Sequence, residues 1–70
     1  MQSFGERFKA LRLELGLSQA EVVFRGRLEH SYVSAVERRI ENPRTESFTA
    51  LARGLGLSPA ELADRMAAQK

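Results

Sequence analysis

One seven-residue phrase occurs twice and fixes most of what this chain can become. Leu15-Gly16-Leu17-Ser18-Gln19-Ala20-Glu21 is answered by Leu55-Gly56-Leu57-Ser58-Pro59-Ala60-Glu61. Each copy reads as a helix ending at a Gly, one buried Leu, then a Ser N-cap with Glu three residues on. Gly supplies the left-handed backbone that closes a helix. Ser-x-x-Glu is a capping box, in which each side chain accepts from a backbone N–H that the new helix leaves unpaired. Pro59 falls at the first helical position, where its missing N–H leaves nothing unbonded. A third box, Ser3-Phe4-Gly5-Glu6, opens the chain. The phrase is too short to be a structural repeat. It is one helix junction used twice.

The apolar spacing between these marks is helical. Phe4, Phe8, Leu11 and Leu15 follow a 4-3-4 rhythm and predict a first helix over about residues 4–15. Val22 and Val23 belong to a short second helix, about 19–25. Val33, Val36 and Ile40 mark a third, about 30–38. Phe48, Leu51, Ala52 and Leu55 mark a fourth, about 46–55, with Thr45 as its cap. Leu62 and Met66 mark a fifth, about 59–68. Asn42-Pro43 separates the third from the fourth, because the residue before Pro resists the helical region. No alternating run of strand-forming residues lies between turn signals. The expected class is all-α: a compact bundle of five short helices, with residues 1–70 as a single domain.

Composition excludes several alternatives. A chain of 70 residues buries only about 60% of the surface its unfolded form exposes, and its stability should be about 4–10 kcal/mol. There is no Cys and one His, so neither a disulfide framework nor a thiolate zinc site is available. No metal and no cofactor are expected. A hydrophobic fraction of 43% with 29% charged residues fits a globular domain, not a disordered tail. No apolar run approaches about 18 residues, and the first residues lack the basic start and apolar stretch of a signal peptide, so the expected location is the cytoplasm, with no membrane partner. Catalytic arrangements are missing too: no Ser–His–acid set, no Gly-rich phosphate loop after a strand, and no paired His ligands. The chain is not expected to be an enzyme. Nothing suggests a small-molecule effector.

The net charge is only +2, but nine of the eleven basic residues are Arg, whose planar fork suits phosphate and guanine. Arg25, Arg27, Arg38, Arg39 and Arg44 all fall between residues 25 and 44, where Glu29, Glu37 and Glu41 offset them in part. Residues 18–38 carry two short helices joined by about four residues, Gly26-Arg27-Leu28-Glu29. Such a pair can lay its second helix in the DNA major groove.

The sequence resembles a known family. Ser18-Gln19-Ala20-Glu21-Val22-Val23, Ser31-Tyr32-Val33-Ser34-Ala35-Val36-Glu37-Arg38, Asn42-Pro43 and Ala52-Arg53-Gly54-Leu55-Gly56-Leu57-Ser58-Pro59-Ala60-Glu61-Leu62 look like the Cro/repressor-type (XRE) helix-turn-helix regulators. The resemblance spans about residues 4–65, and the size and style are close to restriction–modification controller proteins. It implies the lambda-repressor-like DNA-binding bundle and a double-stranded DNA partner. Position by position, it implies that Gln19 contacts a phosphate, the alternative being a solvated first-turn residue. His30 and Ser31 match the main base-reading positions, and Ser34 and Ala35 the secondary ones; His30 could otherwise be an exposed helix-start residue with no ligand. Arg38, Arg39 and Arg44 fall where the family meets the DNA backbone. Tyr32 either gives its hydroxyl to a phosphate or packs its ring on the next loop. Arg12 and Glu37 match a structural ion pair that holds the reading helix. Glu29 is expected to cap that helix; the alternative is to accept from a cytosine amino group.

Three positions depart from the family. Arg27 and Arg39 stand where Gly is usual, and Val23 replaces a small Ala. If the turn keeps its shape, Arg27 needs a positive φ, at a cost of about 1 kcal/mol. One reading helix covers too few base pairs for useful specificity, so a homodimer on a palindromic operator is expected. The fifth helix would supply its interface, with Phe48, Leu57, Leu62 and Met66 as the apolar patch. Leu57 and Leu62 could instead close the monomer core, which leaves Met66 the better interface candidate. The rival function is a helix-turn-helix module of antitoxin type that docks a protein partner and binds DNA weakly or not at all.

Overall fold

The computed structural model describes residues 3–38 and 43–68. Five helices follow one another: α1 (Phe4–Glu14), α2 (Gln19–Gly26), α3 (His30–Glu37), α4 (Thr45–Leu55) and α5 (Pro59–Ala68). No strand occurs among the described residues. Three of the helices start at the Ser-x-x-Glu boxes. Ser3, Ser18 and Ser58 each accept from the backbone N–H of the Glu three residues on, and each Glu carboxylate accepts in return from the Ser N–H.

Two starts differ from expectation. Thr45 is the first residue of α4 and not its cap; the extended residue is Arg44, whose carbonyl accepts from the Phe48 N–H at 2.7 Å. The chain turns into the helix one residue earlier than the short hydroxyl of Thr45 suggested. Glu29 does occupy the N-cap of α3, but its side chain makes no capping bond. Good caps are short. A Glu carboxylate is held one methylene further out than that of Asp, and here only the backbone carbonyl of Glu29 serves the helix, accepting from Tyr32 and Val33 at 3.1 Å each.

The core draws on every helix: Phe8 and Leu11 of α1, Val22 of α2, Val33 and Val36 of α3, Leu51, Ala52 and Leu55 of α4, and Leu62 and Met66 of α5. At the edge of this core, Phe4 lies 5.9 Å from both Phe8 and Phe48 between ring centroids. Gly5 lets α1 cross α3 at backbone distance. A Cβ there would overlap the Val36 carbonyl oxygen and come within 3.2 Å of Glu37 Cα, so this crossing admits no side chain.

Met66, the expected interface residue, is only 8% exposed, and Leu62 is fully buried. Both serve the monomer core, because α5 folds back onto α1 and α4. Arg7 reinforces that docking by donating from Nη1 to the Met66 carbonyl at 3.3 Å. Phe48 and Leu57 pack on the core but stay partly exposed. Among the described residues, no helix is long and apolar enough to cross a membrane.

Candidate nucleic-acid interface

At 3.6 residues per turn, α3 divides cleanly into two faces. Val33, Val36 and Glu37 point inward and are buried. His30 and Ser31 are exposed, Ser34 and Ala35 half-buried, and the C-cap residue Arg38 is exposed. The outward face therefore carries an imidazole, two hydroxyls and a methyl, ending in a guanidinium. Such groups can hydrogen-bond base edges or touch a thymine methyl. Arg44, exposed at the start of α4, adds a second positive group, and Tyr32 is half-buried on the flank of α3. Arg39 lies outside the described residues, as do Ile40, Glu41 and Asn42.

A polar chain that starts from a buried ion pair ties α3 to α1 and α2. Arg12, in the last turn of α1, donates from Nε to Glu37 Oε2 at 2.7 Å and from Nη2 to Glu37 Oε1 at 3.0 Å. Its Nη1 donates to the Leu17 carbonyl at 2.8 Å, which ties the α1–α2 junction to the same pair. Both residues are 6% exposed. A charge so far removed from water persists only when paired and hydrogen-bonded, and here both groups are. Glu37 Oε1 also accepts from Gln19 Nε2 at 3.0 Å, and Gln19 Oε1 lies 2.9 Å from His30 Nε2. The chain thus runs Arg12–Glu37–Gln19–His30, from the interior to the first residue of α3.

The turn before α3 has the shape of the two junctions that repeat in the sequence. Gly16 (φ 74°), Arg27 (φ 54°) and Gly56 (φ 78°) all adopt the left-handed backbone. In each case the next residue is a Leu whose N–H reaches back five residues: Leu17 to Arg12 at 3.0 Å, Leu28 to Val23 at 3.0 Å, and Leu57 to Ala52 at 2.9 Å. All three Leu side chains pack against the core. Arg27 is the one non-Gly residue with positive φ among those described.

The helix-turn-helix domain family matches residues 3–64 of the chain. The chain belongs to that family. An uncharacterized HTH-type transcriptional regulator of Sinorhizobium fredii (strain NBRC 101917 / NGR234) is 41% identical over 58 residues, which is 83% of this chain and 75% of the relative. The restriction-modification controller protein C.AhdI from Aeromonas hydrophila superimposes with a TM-score of 0.75 at 41% identity, covering 84% of this chain and 89% of that one. The controller protein C.Esp1396I reaches a TM-score of 0.80 at 25% identity, covering 94% and 93%. The relatives are transcriptional regulators and controller proteins.

Within this helix-turn-helix framework, two features of the site were not visible in the sequence. One is the link from Gln19 to His30, eleven residues apart in the chain, which exists only because α2 packs on α3 so that the Gln19 amide reaches both His30 and Glu37, the first and last residues of that helix. The other is that the turn at Arg27 is a third copy of the repeated junction. Its Leu, one residue after the left-handed position, is the single signal the three copies share.

Proposed function

We propose that this protein is a sequence-specific regulator that binds double-stranded DNA as a homodimer on a palindromic operator, with α3 in the major groove. His30, Ser31, Ser34 and Ala35 would touch base edges. Arg38, Arg39 and Arg44, the Tyr32 hydroxyl and the second amide hydrogen of Gln19 would hold phosphates. The observation that carries this reading is the exposed polar face of α3, held rigid from behind by Arg12 and Glu37. A face that must be matched to base edges benefits from such fixing. Gln19, at the capped N-terminus of α2, also lies where a helix end favours a phosphate. For the dimer, Phe48 and Leu57 remain as apolar contributors.

Selection of bound duplexes from a random pool, followed by titration of the selected duplex over a salt series, tests the reading. The expected result is an enriched inverted repeat whose affinity falls steeply with salt, as about four to six phosphate contacts per dimer require. Light scattering should give twice the chain mass at the same concentration. Failure to enrich any sequence, with no binding at low salt, would favour a protein-docking module instead.

A further inference from the structure

Gln19 joins the buried ion pair to the reading helix through two hydrogen bonds whose directions are chemically forced. An ionised carboxylate only accepts, so the Gln19 Nε2 that lies 3.0 Å from Glu37 Oε1 donates to it. Arg12 grips both oxygens of that carboxylate, at 2.7 and 3.0 Å, so Glu37 has no freedom to turn aside. The amide orientation then sets Gln19 Oε1 against His30 Nε2 at 2.9 Å. A carbonyl oxygen also only accepts, so the hydrogen in this contact belongs to His30 Nε2. A neutral imidazole has a single N–H, which leaves Nδ1 as an acceptor and as the one ring atom still able to form a hydrogen bond.

We propose that Gln19 is a positioning residue that fixes the Nε2–H tautomer of His30, and that His30 thereby reads a base-edge amino group through Nδ1. This rests on the reading of α3 as the groove helix. The only hydrogen-bond donors on major-groove base edges are the adenine N6 and cytosine N4 amino groups. Guanine N7 and O6 and thymine O4 each present a lone pair, which a bare Nδ1 cannot satisfy. The tautomer therefore converts a residue able to serve either sense of hydrogen bond into one that asks for a donor. The buried Arg12–Glu37 pair is the origin of that choice, two hydrogen bonds away from His30 and three from the base.

His30 is the single histidine of the chain, so its ring nitrogens can be read without ambiguity in untagged, nitrogen-15-labelled protein. At pH 8 the expected spectrum has a pyrrole-type Nε2 and a pyridine-type Nδ1. Gln19→Leu should draw the two nitrogen shifts toward each other, with unchanged amide dispersion showing that the fold is kept. An Nδ1–H tautomer, an imidazolium at pH 8, or a wild-type spectrum unaltered by Gln19→Leu would each overturn the tautomer assignment. The base contact is tested on the selected duplex. The base pair whose preference His30→Ala relaxes is rebuilt with purine for adenine or 2-pyrimidinone for cytosine, each of which lacks the amino group. Wild type should lose about 5–10-fold in affinity, as expected for one net hydrogen bond, and His30→Ala almost nothing. Sensitivity to a 7-deazapurine in place of the amino-less base, or no base pair sensitive to His30 at all, would overturn the base contact. Absence of any specific duplex would instead contradict the proposed function and take the base contact with it, while the nitrogen spectrum still decides the tautomer by itself.

Discussion

Arg27 and Gly56 stand at the same point of two turns with the same path. Each is left-handed, each is followed by a Leu bonded five residues back, and each leads to the N-cap of the next helix. The α4–α5 turn uses the residues that suit this path: Gly56 at the left-handed position and Ser58 in a full capping box with Glu61. The α2–α3 turn uses neither, with Arg27 strained at φ 54° and Glu29 making no capping bond. What holds α3 is instead remote: a buried ion pair from α1 and an amide from α2. Local stability has been exchanged for a braced helix whose N-terminus is free of a caging side chain. Strain of this kind collects at functional positions, and here it lies immediately before the proposed base-reading residues.

The largest test of this contrast is removal of the brace. Glu37→Ala or Arg12→Ala strands a buried charge and should cost about 3–5 kcal/mol, a large share of a stability of about 4–10 kcal/mol. Urea unfolding would measure it; a loss below about 1 kcal/mol would mean that the local turn suffices to hold α3. Exchanging the turn residues comes next. Gly56→Arg should destabilise by about 1–2 kcal/mol, and Arg27→Gly should gain up to about 1 kcal/mol, since Gly enters the left-handed region without the Cβ clash. Equal and negligible changes would mean that Arg27 is not strained. Ser58→Ala breaks the box of α5 and should cost about 1 kcal/mol, whereas Glu29→Ala should cost almost nothing, because no capping bond is lost.

The smallest effect is on pH dependence. Glu61 and Glu21 are both held below the ordinary carboxylate value, chiefly by the backbone N–H of Ser58 and of Ser18, helped by the Ser hydroxyls and by Arg65 and Arg25. A depressed folded-state value means the stabilisation is fully present above the ordinary carboxylate range. It is lost as pH falls through the folded value. Carboxyl NMR titrations should therefore show both groups titrating low, and Glu61→Gln should flatten the acid limb of the stability profile. An unshifted Glu61 would contradict the box.

The helices were legible because each boundary carries its own chemistry. Three capping boxes, two glycines and Asn42-Pro43 locate the elements within a residue or so, and the apolar rhythm names most of the core. The third junction was hidden because Arg27 and Glu29 erase its Gly and Ser, although the family resemblance implied a positive φ there. Met66 was misplaced because its burial depends on how α5 docks on α1, which no local pattern encodes. The Gln19–His30 contact was out of reach for the same reason. Residue types in the proposed site were readable; the bonds between them required the packing of three helices.

In the proposed complex the outer face of α3 reads sequence while its arginine flank supplies affinity. Titrating the selected duplex and a scrambled duplex with His30→Ala, Ser31→Ala and Arg38→Ala tests it most directly. The first two should narrow the gap between selected and scrambled DNA, and Arg38→Ala should weaken both equally and lower the salt slope by about 1. Parallel losses on both duplexes from all three variants would contradict it.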